Sequence, residues 1–200
     1  MSKRFIIDTE ATAKFPNTAN LLQFCALEYD ENPANWKIHN WYFSPRNEVP
    51  AEVQNITGLN KEILDRKSEG LTFEEQCDSV KDLIESADLL IGHNINKYDK
   101  VVIRNNFHKE GLLLREFPDT FDTMTSAKDL SFVNTGRYIK LGDLYEMCLK
   151  KLNIEGYDAV GIIAEHLGLD DDELSAHNAK WDVIMNAFVY RAFQMDKVGR

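Results

Sequence analysis

The 200-residue sequence has little of three features that would define its class: cysteine, long apolar runs and positive charge. Its three cysteines, Cys25, Cys77 and Cys148, are odd in number and form no CxxC pair, which argues against a disulfide framework and a cysteine zinc site. No apolar run is long enough to span a bilayer, and the first residues lack the apolar stretch of a signal peptide. We therefore expect a cytoplasmic protein without a membrane partner.

The charge balance narrows the set of partners. Acidic residues outnumber basic ones by 33 to 23, and the formal net charge is −10. This excess argues against a general polyanion-binding protein, but a nuclease stays open because bound cations reverse the local field of an acidic site. The length suits one well-buried domain, and no repeat or linker interrupts it, so we expect a single domain over residues 1–200.

The order of the predicted elements indicates an α/β fold. Strands come first, then strands alternate with helices, and the chain ends in helices, which is typical of a mixed sheet flanked by helices. A helix begins at Thr72, where Thr72 and Glu75 form a capping box. The predicted strands are about 4–9, 21–29, 36–43, 88–93 and 119–122, and the later helices are about 98–110, 123–129, 140–151, 158–167 and 179–195.

Two carboxylates stand two residues apart at the end of the apolar strand in "KRFIIDTEAT". Asp8 and Glu10 share one face of this strand because side chains alternate between its two faces. Like charges this close repel each other, and burial strengthens the repulsion. Either a bound cation compensates the pair, or the pair ends the strand in water.

Two further acids lie on helices where a solvated acid is unexpected. Asp99 precedes Val102 and Ile103 by three and four residues, which places it on the apolar stripe of its helix. Asp182 precedes Met185 by three residues and therefore also lies on the apolar stripe of its helix. It lies near the start of that helix, where the helix dipole favours an anion. Carboxylate ligands suit Mg²⁺ or Mn²⁺, and shared carboxylates can hold two such ions roughly 3.5–4 Å apart for phosphodiester cleavage.

A histidine precedes the last of these acids. His177 lies five residues before Asp182, so on one helix the two side chains would be about 140° apart. We therefore expect His177 on the loop that leads into the helix. A neutral imidazole there can take a proton from a metal-bound water.

In this order the residues resemble the motifs of the DEDDh family, the DnaQ-like 3′–5′ exonucleases. "IIDTEAT" is similar to the Asp-x-Glu motif, "LIGHNINKYDKVVI" to the His-Asn and aromatic-Asp motif, and "AHNAKWDV" to the His-x4-Asp motif. The likeness runs from about residue 4 to about residue 193, and the ordered set is more specific than any single motif. It implies an RNase H-like fold of the DnaQ exonuclease type, with a mixed central sheet flanked by helices.

The resemblance also implies a role for each motif residue. Asp8, Glu10 and Asp182 would hold the metal that carries the attacking water, and Asp8 would bridge to a second metal. Asp99 would support this second metal, and His177 would be the general base. Two Mg²⁺ or Mn²⁺ ions per site and a nucleoside 5′-monophosphate product are implied.

Substrate contacts are implied near the first two motifs. The backbone around Thr9, Ala11 and Thr12 would cradle the 3′-terminal nucleotide. His93 and Asn94 are the further candidates near the substrate, although we favour a structural role in which they tie the end of the "DLLIG" strand by hydrogen bonds.

The sequence departs from the family pattern in two places. Three residues separate Asn94 from the Tyr98-Asp99 pair where the family usually has two, so Asp122 is the alternative to Asp99 as the third acid. No glycine follows the first motif at Ala11-Thr12, so the contact with the terminal sugar is expected to differ.

The leading hypothesis is an exonuclease that removes nucleotides from single-stranded 3′ ends, with DNA preferred, beside a polymerase or another replication or repair partner. An exoribonuclease is the alternative within this class. The alternatives outside it are a catalytically dead module that binds nucleic acid or a partner, and a metal phosphatase or nucleotidase. Basic runs that could contact phosphates, or be solvated charges, are Lys97, Lys100 and Arg104, and Arg137 with Lys140.

Overall fold

A five-stranded mixed sheet forms the centre of the structure, a computed structural model that describes residues 2–114, 116–134, 138–154, 159–169 and 177–198. The strands are β1 (Arg4–Ala11), β2 (Leu21–Glu28), β3 (Lys37–Tyr42), β4 (Leu89–Gly92) and β5 (Asp119–Asp122). Their order in the sheet is β3-β2-β1-β4-β5. The pairs β3–β2 and β2–β1 are antiparallel, whereas β1–β4 and β4–β5 are parallel.

Helices cover both faces of this sheet. The described residues form α1 (Ala51–Thr57), α2 (Lys61–Lys67), α3 (Phe73–Ser86), α4 (Asp99–Lys109), α5 (Thr123–Ser126), α6 (Leu141–Leu152), α7 (Ala159–His166) and α8 (Ala179–Val198). Among them, no helix combines the length and the apolar character needed to cross a membrane.

The alternation of side chains along β1 sorts the core into two layers. Phe5 and Ile7 pack with residues of α3 and α4 on one face of the sheet, among them Val80 and Ile103. Ile6 points to the other face, where α6 and α8 pack. A strand that is buried on both faces reads as an unbroken apolar run, which explains "FII" directly before the first acid.

The carboxyl ends of β1, β4 and β5 lie at one edge of the sheet because these three strands are parallel. The chain turns from β4 into α4 at this edge. Gly92 is required in the turn, since a Cβ atom at this position would lie 2.7 Å from the Cβ atom of Ile95. The second motif is thereby placed beside the end of β1.

The predicted α/β fold is confirmed, and the five predicted strands agree with the observed ones to within two residues. The predicted helix over 123–129 is divided into α5 and a 3₁₀ turn, Ala127–Asp129. The predicted capping box is present at Thr72 and Glu75. Arg137, from one predicted basic run, lies outside the described residues.

Candidate active site

Three carboxylates converge at the carboxyl end of β1. Asp8 and Glu10 follow Ile6 on the face of β1 that α8 covers, and Asp182 lies in the first turn of α8. One oxygen from each of the three side chains lies within 4.8 Å of the other two. All three residues are half-buried, so a small ion can reach them from solvent.

The fourth acid, Asp99, lies near this group on the α4 side of the sheet and acts on it through its charge. Asp99 is buried in the first turn of α4, and its Oδ1 atom accepts a hydrogen bond of 2.7 Å from the hydroxyl of Thr9. Thr9 points to the face of β1 opposite to Asp8, and Asp99 accordingly lies outside the group of three. The hydroxyl of Tyr98 donates to the carbonyl of Ala13 at 2.7 Å and fixes the start of α4 against the segment after β1.

The electrostatics of the four acids favour a bound cation. Burial, followed by the negative charges of Asp182 and Asp99, raises the pKa of Asp8 and of Glu10 well above their ordinary values. Burial also raises the pKa of Asp99 and of Asp182 to about 7 each. A set of oxygen-only donors that is costly to ionise without a counter-charge fits Mg²⁺ or Mn²⁺.

The third motif begins with His177 in a turn that directly precedes α8, as predicted from its spacing. Its φ angle of 65° lies in the left-handed region, and its side chain is exposed. Its backbone N–H donates to the carboxylate of Asp182 and partly opposes the effect of burial on the pKa of that group. The imidazole has no hydrogen-bond partner among the described residues.

The carboxylate of Asp122, the alternative to Asp99, already accepts hydrogen bonds from backbone N–H groups. It is buried and accepts hydrogen bonds from the backbone N–H groups of Met124 at 3.1 Å and Thr125 at 3.3 Å, which caps α5. It also accepts from the N–H of Asn94 at 3.1 Å. The geometry therefore favours Asp99 over Asp122 as the acid beside the other three.

Comparison with known proteins assigns the chain to a family. A family model described as Exonuclease, RNase_T, matches residues 5–190. The chain belongs to this exonuclease family. The predicted DnaQ-like, RNase H-like assignment is thereby confirmed.

Solved structures and curated relatives of this exonuclease domain are longer than it is. E. coli exonuclease I in complex with a dA16 oligonucleotide matches with a TM-score of 0.67 and 16% identity, over 100% of this chain and 42% of that chain. DNA polymerase III PolC-type from Ureaplasma parvum is 22% identical over 193 residues, 94% of this chain. The 3′-5′ exonuclease DinG from Bacillus subtilis is 26% identical over 113 residues, 56% of this chain. The chain spans 11% and 12% of the length of these two relatives.

The His-Asn pair of the exonuclease domain is built into its scaffold. The Nε2 atom of His93 lies 2.9 Å from the carbonyl oxygen of Ile139, and its Nδ1 atom lies 3.1 Å from the hydroxyl of Thr123. Burial lowers the pKa of His93, which favours a neutral ring. Asn94 has a φ angle of 69° and bonds through its backbone to Asp122. These contacts support the structural role and leave His93 no free ring nitrogen for substrate.

A pocket of about 320 Å³ opens beside Glu10. Ala11 and Thr12 line it, but the backbone N–H of Thr12 already donates to the carbonyl of Asn20 at 2.9 Å. Sequence reasoning missed the opposite wall, which comes from α1. The only signal for that wall was the apolar Ile56, which is 41% exposed in the structure. Lining side chains include Glu10, Ala11, Thr12, Val53, Ile56 and Tyr98.

Proposed function

We propose that the chain is a metal-dependent 3′–5′ exonuclease, formed by a single domain over residues 1–200. It removes nucleoside 5′-monophosphates from single-stranded 3′ ends, with DNA preferred over RNA. The observation that carries this proposal is the convergence of Asp8, Glu10 and Asp182 within 4.8 Å at a solvent-accessible edge of the sheet. Membership of the exonuclease family supports it.

The donor set fits two Mg²⁺ or Mn²⁺ ions. Asp8, Glu10 and Asp182 would hold one ion, and Asp8 with Asp99 would hold the other. When bound, the ions supply positive charge that activates a water molecule and stabilises the leaving 3′ oxygen. The raised pKa values of the four acids support this assignment, because a cation relieves the repulsion that raises them.

His177 and the pocket beside Glu10 supply proton transfer and substrate binding. His177 takes a proton from the water that attacks the last phosphodiester, and its exposed ring passes the proton on to solvent. The hydrogen bond from the backbone N–H of His177 to Asp182 holds the backbone of His177 against the acid group. The pocket beside Glu10 holds the terminal nucleotide against Ala11 and Thr12.

The relatives support the preference for DNA and a replication or repair setting. The structure of E. coli exonuclease I holds a dA16 oligonucleotide, and one curated relative is a DNA polymerase III of the PolC type. We place the domain in the cytoplasm, beside a polymerase or another replication or repair protein.

The test is a cleavage assay on matched single strands of DNA and RNA labelled at the 5′ end, with Mn²⁺. The expected result is a ladder that shortens from the 3′ end, faster for DNA. The ladder is absent with Asp8→Ala and unchanged with Asp82→Asn, an exposed acid on α3. Intact strands of both kinds would favour a catalytically dead binding module. Hydrolysis of free nucleotides alone would favour a nucleotidase.

A further inference from the structure

A row of basic side chains runs along α4 beside the candidate active site. Lys97 lies in the turn before α4, and Lys100 and Arg104 follow three and seven residues later, so the three side chains share one side of the helix. Lys97 and Arg104 are exposed, and Lys100 is half-buried. Two aromatic rings lie against these cations. We name the surface the α4 basic strip, which consists of Lys97, Lys100, Arg104, Phe117 and Tyr138.

The aromatic rings hold the cations in place along the strip. The Nζ atom of Lys100 lies 5.1 Å, and the Cζ atom of Arg104 5.3 Å, from the centroid of the Phe117 ring. The Nζ atom of Lys97 lies 4.9 Å from the centroid of the Tyr138 ring and donates to its hydroxyl at 3.0 Å. Such contacts fix the long side chains while their charges stay in water. Tyr138 is 66% exposed and leaves ring surface open.

No carboxylate of the described part of the chain forms a close ion pair with the strip. By contrast, the exposed Arg46 pairs with Glu74 at 3.1 Å. Among the described residues, no carboxylate lies within 4.0 Å of a strip cation. Asp119 and Asp122 act on the strip only from beyond that distance. Two cations that share the Phe117 ring repel each other, so an incoming anion is attracted to both.

We propose that the α4 basic strip binds the phosphodiester backbone of the single strand on the 5′ side of the scissile bond, with a base stacked on Tyr138. This proposal rests on the proposed function of the acid site. The strip begins two residues before Asp99 and extends about 10 Å along the helix, so it continues directly from that site. Backbone charge contacts together with aromatic stacking bind single strands without reading their sequence.

The first experiment measures the salt dependence of binding. Fluorescence anisotropy follows a 5′-labelled dT12 strand, without divalent ions so that it stays intact, over a series of KCl concentrations. Loss of two phosphate contacts in K100Q/R104Q reduces the slope of log K against log salt by about 1.4, because each contact to a single strand contributes about 0.7. The control K150Q/K151Q, which removes two exposed charges from α6, keeps the wild-type slope.

A second pair of variants tests the stacked base. Tyr138→Ala is expected to weaken binding of dT12 about tenfold, because base–aromatic stacking is lost. Tyr138→Phe keeps the ring and is expected to bind as the wild type does. Far-UV circular dichroism checks that all variants are folded. A parallel titration with rU12 shows which kind of strand the strip prefers.

Measurements of turnover on long and short substrates distinguish the contribution of the strip from that of the acid site. For K100Q/R104Q, the ratio of kcat/KM on dT12 to kcat/KM on a thymidine dinucleotide is expected to fall about tenfold, because the dinucleotide is too short to follow the strip. An unchanged salt slope together with an unchanged kcat/KM ratio would overturn the proposal that the strip binds the strand, and would leave the proposed exonuclease function standing. A wild type that cleaves neither substrate, with the slope change still present, would overturn the proposed function and support the strip as a binding surface.

Discussion

At the scale of a single residue, Thr9 shows how β1 positions acids on both faces of the sheet. Its neighbours Asp8 and Glu10 point towards α8, whereas its own side chain points towards α4 and bonds to the buried Asp99. Asp8 and Glu10 therefore account for only part of the function of the first motif. The residue between them positions the acid of the second motif.

Replacement of Thr9 by valine keeps the shape of the side chain and removes the hydroxyl. We expect Thr9→Val to lower the free energy of unfolding by about 1–3 kcal/mol, since buried Asp99 loses a donor. Urea denaturation measures this loss. Thr9→Ser keeps the hydroxyl and is the matched control. Equal stability of the two variants would show that the hydrogen bond contributes nothing.

Asp99 and Asp122 are both buried, but they are expected to respond differently to substitution. Asp122→Ala removes a helix cap and should lower stability by about 0.5–2 kcal/mol, while the rise in melting temperature on addition of Mn²⁺ persists. Asp99→Asn should diminish that rise. Thermal denaturation with and without Mn²⁺ measures both effects, and the opposite pattern would make Asp122 the third acid.

At the scale of elements, the entry into α8 carries both a strained turn and a catalytic candidate. His177 has a φ angle of 65°, which costs a residue with a Cβ atom roughly 1–2 kcal/mol. We expect His177→Gly to be more stable than His177→Ala by about 1 kcal/mol in urea denaturation. Both variants should lose about 10²- to 10⁴-fold in kcat, because both lack the imidazole. Full activity of the glycine variant would exclude His177 as the general base.

The elements that local patterns specify were predictable, and the contacts between them were not. The apolar residues after Asp99 recur at helical spacing, so α4 and the buried side of Asp99 followed from the sequence. The bond from Thr9 to Asp99 joins residues 90 positions apart, and no periodicity encodes it. Histidine is enriched among non-glycine residues with positive φ, but this preference alone does not specify the left-handed conformation of His177. The α1 wall of the pocket depends on how distant segments pack.

At the scale of the whole molecule, the four acids should set the pH dependence of stability without metal. All four pKa values are raised in the folded state, those of Asp99 and Asp182 to about 7, so that state binds more protons than the unfolded chain above about pH 4. The contribution of Asp99 and Asp182 is therefore fully present below about pH 4 and is lost as the pH rises through about 7. The metal-free protein is expected to be less stable at about pH 8 than at about pH 5.5.

Urea denaturation at both pH values in EDTA measures this difference. The double variant D8N/D182N should show a smaller decrease, because two of the repelling charges are gone. Mn²⁺ should reverse the decrease in the wild type, since the ion binds the deprotonated carboxylates. A wild type that gains stability towards pH 8 in EDTA would contradict the electrostatic account of the site.

Side chains alternate between the two faces of β1, so nuclease activity depends on the correct register between β1 and β2. Asp8 is paired with Cys25 and Glu10 with Gln23, so the sheet register decides which side of β1 the acids occupy. A slip of one residue would turn Asp8 and Glu10 towards α4 and Thr9 towards α8. Such a chain could keep much of its secondary structure while losing the acid group and the support of Asp99 together. Specific activity per molecule would then report the native fraction of a preparation more directly than circular dichroism does.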